Sequence, residues 1–141
     1  MYHSMARIDR LEHWASLLER SDVTRVTPFR DVELLPPATR EALRTSNSPL
    51  DIAYRDPVLR RAGLSSDRYG DGASFFELSS RQAHRVLCSC GYFGPVRGTE
   101  VARRVRAIAA RARLRQWAGE AVPSFARWLI PAGTPLAGHS G

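Results

Sequence analysis

Apolar positions recur with helical spacing in three long stretches of the chain. In the first, residues 4–20, Ile8, Leu11, Ala15 and Leu18 share one stripe, which Met5 and Trp14 extend. Arg7, Asp9, Arg10, Glu12, Glu19 and Arg20 occupy the other side, and Ser21-Asp22 ends the run. In the second, residues 79–90, Ala83, Val86, Leu87 and Cys90 fall at i, i+3, i+4 and i+7, so they face one side of a helix. Ser79 followed by Gln82 is a capping box that fixes its start, and Gly91 is the expected stop. In the third, residues 99–117, Val101, Val105, Ile108 and Ala112 form the apolar stripe, with Thr99 as the cap.

Shorter elements fill the gaps. Pro36-Pro37 opens a short helix that Thr39 to Arg44 continues. Asp56, Pro57 and Gly63 are a cap, a first-turn proline and a C-terminal glycine around a helix docked by Val58, Leu59 and Leu64. A last helix is predicted over 123–130, with Phe125, Trp128 and Leu129 apolar. Residues 23–35 read as short extended pieces interrupted by Pro28, 46–49 as a turn, and 65–72 as an exposed loop. The result is an all-α fold of five or six helices, one domain over 1–130 and a frayed tail over 131–141. Its core draws on Ile8, Leu11, Leu18, Leu59, Phe75, Phe76, Leu78, Val86, Leu87, Val101, Val105 and Ile108.

Charge adds a partner class to this picture. The formal net charge is +7, and every basic residue is arginine, which grips phosphates and carboxylates in a planar, bidentate manner. Residues 1–70 hold eleven arginines against ten acids, whereas residues 71–141 hold ten against four. The excess gathers around the third long helix: Arg97, Arg103, Arg104, Arg106, Arg111, Arg113 and Arg115. Only Glu100 opposes them there, so these side chains need either an acidic partner or acids from the first half of the chain. Tyr92, Phe93 and Trp117 flank the helix and suit stacking on bases, which makes nucleic acid the most specific partner. A helix-turn-helix is disfavoured. About eight residues separate the two long helices, and Gln116 is the one base-reading amide.

Chemistry has one foothold, His84 with Cys88 and Cys90. On a helix, His84 and Cys88 are four apart and share an edge, as a nucleophile beside its base or as two metal ligands. Cys90 joins the core stripe, away from that edge, unless the helix unwinds at its end. His3, His13 and His139 are scattered, no second ligand pair has matching spacing, and the default reading is two small buried thiols beside a flank histidine. Asp67 and Asp71 miss the calcium-loop pattern and fit a turn. There is no nucleophile elbow, phosphate-binding loop, dinucleotide fingerprint or HExxH, hence no motif-level reason to propose an enzyme or a cofactor. Met1 to Arg10 lacks the apolar run of a secretory signal, and no stretch suits a membrane span, which leaves the cytoplasm as the default.

Residues 57–110 carry Pro57-Val58-Leu59, Ala62-Gly63-Leu64, Phe75-Phe76-Glu77-Leu78-Ser79, Ala83, Tyr92 and Val101 through Ala107 in that order. This resembles the distal part of a group of short, uncharacterised bacterial proteins. Those often have an upstream Cys-Gly-Thr…Cys segment, which is absent here. The resemblance implies a small helical fold and no particular activity. The leading expectation is a non-catalytic basic module for an acidic partner. The alternatives are a thiol or metal site at His84 and Cys88, and a helical subunit of a homo-oligomer presenting Trp14, or Phe125 with Trp128, as an apolar patch.

Overall fold

The computed structural model describes residues 5–21 and 25–129, with side chains through 119. Among the described residues there are seven α-helices and no strand. They are α1 (Arg7–Arg20), α2 (Pro37–Ala42), α3 (Pro49–Tyr54), α4 (Pro57–Ala62), α5 (Tyr69–Phe75), α6 (Ser80–Leu87) and α7 (Gly98–Leu129). The predicted breaks near 117 and 123 are absent from α7, which is one element across both. The chain divides into two units, Met1–Ala109 and Ala110–Gly141, with the boundary inside α7. In the second unit Leu114 and Trp117 are exposed on the helix. His3, Val23, His139, the tail, and the side chains of Phe125, Trp128 and Leu129 lie outside what is described. None of the described helices is long and apolar enough to cross a membrane.

The first unit is built around Trp14. Leu11, Trp14, Ala15 and Leu18 bury one face of α1 completely. The Trp14 ring stacks on Phe76 with centroids 4.0 Å apart, and its indole N–H donates to the Pro49 carbonyl at 2.9 Å. A buried indole needs such an acceptor, and this one fixes where α3 begins. Trp14 is therefore core, and the expected exposed Trp14 patch does not exist. Of the expected core set, Ile8 and Leu78 are only partly buried, and both pack against the remainder. The charged side of α1 also has work within the fold. Arg7 and Arg10 donate to the carbonyls of Phe76, Glu77 and Phe75, groups that the end of α5 leaves without helical partners.

Two helices were not apparent in the pattern. Ser48 accepts from the Asp51 amide at 3.0 Å and starts α3 inside the predicted turn. The predicted exposed loop over 65–72 contains the first half of α5 instead. Its acids are tied down: Asp67 is buried and takes the Arg44 guanidinium at 2.7 Å, while the Ser66 hydroxyl donates to Asp71 at 2.5 Å. The glycines there serve packing. A β-carbon on Gly70 would lie 2.8 Å from the Glu41 Cβ on α2, and one on Gly72 would lie 2.3 Å from a Leu50 methyl on α3. Thr99, expected as a cap, lies inside α7, and Val58, expected to dock α4, is exposed, whereas other local signals hold. Asp56 caps α4 through the Leu59 amide, Gly63 follows it with a positive φ of 123°, and Ser79 and Gln82 close the capping box on α6.

Val26 and Phe29 carry the extended character expected of this stretch, whereas Val32 and Leu34, expected to be extended, lie in a 3-10 turn; the Phe29 segment decides how α6 ends. Val26 pairs with Val96, and Phe29 pairs with Cys88. The Phe29 amide donates to the Leu87 carbonyl at 2.8 Å, and the Ser89 amide donates to the Phe29 carbonyl at 2.8 Å. Those bonds pull Cys88 into extended backbone, with φ −98° and ψ 145°, so the helix stops at Leu87 rather than at Cys90. Ser89–Gly91 follows as one 3-10 turn. On the other side, Asp31 adopts a left-handed conformation with φ 54° and leads into a second 3-10 turn, Val32–Leu34.

Candidate functional site

Three short segments meet at the end of α6. His84 is on its last turn, Cys90 is in the 3-10 turn after it, and Glu33 is in the 3-10 turn after Phe29. The Phe29–Cys88 pairing brings the last two segments alongside the first. Cys90 Sγ lies 2.8 Å from His84 Nε2 in a hydrogen bond that needs one proton. Either the thiol donates to a neutral ring or the ring N–H donates to a thiolate. One carboxylate oxygen of Glu33, a ring nitrogen of His84 and the Cys90 sulfur all lie within 4.8 Å of one another. All three residues are exposed, so reagents and ions reach them from solvent.

The pairing differs from the one the helical spacing predicts. Cys88, expected beside His84, is buried, and Cys90, expected in the core stripe, is exposed. Helix termination explains both. Three further helical residues would have turned Cys90 inward, whereas the extended Cys88 redirects the chain. In its buried position the Cys88 sulfur lies 3.7 Å from the Tyr69 hydroxyl. Burial pushes the Cys88 thiol up to about 11, which keeps it protonated and unreactive at neutral pH. Burial likewise raises the Tyr69 hydroxyl above its ordinary value. The two cysteines are not bonded to each other.

A cleft of about 680 Å³ opens beside this cluster, and Glu33 and His84 are part of its wall. Val32, Ala73, Leu78 and Ala83 give it an apolar lining, Tyr69 adds a ring, and Arg40, Glu41 and Arg81 give it charge. The Arg40 Nε is buried without a hydrogen-bond partner in the protein.

The described arginine side chains from Arg97 onward divide into two groups. Arg106 reaches across to α1, where it pairs with Glu12 and, at 2.7 Å, with Glu19, and it donates to the Ser16 hydroxyl at 3.3 Å. Arg104 lies 4.1 Å over the Tyr92 ring, donates to the Arg85 carbonyl at 2.8 Å and is 3.8 Å from Glu100. These two hold the helix to the rest of its unit. Arg97, just before the helix, and Arg103, Arg111, Arg113 and Arg115 on it are exposed.

Two contributors had not been singled out from the sequence, Glu33 and Phe29. Glu33 is one acid in an irregular stretch, and nothing local links it to a histidine 51 positions later. The extended character of 23–35 was the available signal, since an extended segment must find a pairing partner. No family model, curated protein or solved structure matches this chain.

Proposed function

We propose that this chain is a thiol-site protein. Cys90 is its reactive group, His84 is the proton partner of that thiol, and the adjoining cleft admits the molecule on which it acts. The supporting observation is the 2.8 Å contact between exposed Cys90 Sγ and the Nε2 of His84, a residue of the cleft wall. A ring nitrogen at that distance can take the thiol proton as sulfur forms its bond to an electrophilic carbon, and can return the proton to the leaving group. The apolar walls with Arg40 between them suit a small, largely apolar molecule bearing an acidic or carbonyl group.

Alkylation by iodoacetamide, followed by peptide mass spectrometry, tests this reading. Sulfur–carbon bond formation expels iodide, and the thiol proton goes to His84 or water. Cys90 is expected to react and Cys88 to be spared in the native protein. His84→Ala is expected to slow Cys90 by at least about tenfold at neutral pH. Equal rates for the two cysteines, or a rate indifferent to His84, would overturn the assignment. His84 is exposed, so this variant leaves the core intact.

A second reading, an acidic partner with nucleic acid as its most specific form, is favoured by exposed Arg97 and Arg103 in a chain of net charge +7. Retention on random duplex DNA should fall as salt rises, and should weaken in Arg97→Ala/Arg103→Ala. Retention unchanged by that double variant would remove the assignment of these two residues.

A further inference from the structure

We infer that Glu33, His84 and Cys90 bind one thiophilic divalent cation of the Zn²⁺ class, and that the bound ion caps the Cys90 thiol. The cap rests on the proposed role of Cys90, whereas the ion site rests on the donor geometry alone.

The donors are one carboxylate oxygen, one imidazole nitrogen and one sulfur, all within 4.8 Å of one another. A tetrahedral zinc ion with usual bond lengths holds a nitrogen and a sulfur about 3.6 Å apart. That separation is wider than the present 2.8 Å contact and within the 4.8 Å envelope, so small side-chain rotations admit the ion. All three side chains are exposed and can make those rotations.

Donor chemistry selects the ion. Calcium and magnesium prefer all-oxygen shells. A thiolate with an imidazole favours zinc and its softer neighbours. A thiolate and a carboxylate together neutralise a dication, so the complex carries no excess charge. The backbone is organised in advance, because the Phe29 and Ser89 hydrogen bonds join the segments that carry Glu33 and Cys90. Three protein donors leave a fourth position, as in catalytic zinc sites. Glu33 and His84 are both in the cleft wall, so the donor set borders the cleft.

The ion and an electrophile compete for the same sulfur. Binding releases the shared proton and leaves a metal-bound thiolate whose lone pair is engaged. The thiol then has two states, free and capped, set by metal availability.

The reduced, full-length chain should be titrated with Zn²⁺ by calorimetry and with Co²⁺ by absorbance. One equivalent of Zn²⁺ is expected, with a thiolate-to-cobalt charge-transfer band for Co²⁺ and no response to Mg²⁺. Cys90→Ser should abolish the band, and His84→Ala and Glu33→Gln should each weaken binding by about tenfold or more. Saturating Zn²⁺ should protect Cys90 from iodoacetamide. Failure to take up one equivalent, or uptake indifferent to Glu33→Gln and His84→Ala, would overturn the site. Loss of zinc uptake with His84-dependent alkylation intact would leave the thiol reading standing. Zinc uptake beside His84-independent alkylation would leave the ion site and remove the thiol role. Circular dichroism of each variant separates loss of a ligand from loss of fold.

Discussion

Arg106 shows how a side chain can carry charge without advertising it to the outside. Its guanidinium holds Glu12 and Glu19, which are 94 and 87 residues away in the chain. The hydrogen bond from Arg106 lowers the Glu19 carboxyl below its ordinary value of 4.5. A carboxyl shifted downward stabilises the fold above its unfolded value, and that contribution fades as pH drops through the folded one. Arg106→Gln should therefore lower the melting temperature at pH 7, and the gap from the parent should shrink below about pH 4.5. Both partners are well exposed, so the effect should not exceed about 1 kcal/mol. A gap that stays constant down to pH 3 would contradict this account. Sequence reading treated the arginines of this helix as one outward set. It did anticipate that acids from the first half of the chain could meet them, but spacing alone could not identify Glu12 and Glu19.

At the level of elements, α5 separates what local chemistry reveals from what packing decides. Its start, Tyr69-Gly70-Asp71-Gly72, carries the composition of a turn. The glycines are there because α2 and α3 approach too closely for a β-carbon. Gly72→Ala gains helix propensity yet should destabilise the protein, by about 1–3 kcal/mol, because the new methyl overlaps buried Leu50. Denaturant midpoints would check this, and a neutral or stabilising result would show that Leu50 yields freely. The Asp56 cap and Gly63 end of α4 and the capping box of α6 were legible, since each is set by residues within four positions. The early stop of α6 was not, because the hydrogen bonds that cause it come from Phe29. That one missed stop exchanged the roles of Cys88 and Cys90.

At the level of the whole molecule, the helical class and most of the core were legible from periodicity. The composition of the thiol cluster was only partly so. His84 and both cysteines stand out as residue types, but their grouping with Glu33 is a product of tertiary pairing. The Phe29–Cys88 pairing then has a geometric corollary. Both arms of the cluster are measured from a common anchor, four residues forward to Glu33 and two residues forward to Cys90. Chain length along these arms acts as a ruler. Inserting one residue between Val32 and Glu33, or between Cys88 and Cys90, would rotate the donor out of register without replacing any residue of the cluster, so the cluster can be dismantled without touching its chemistry.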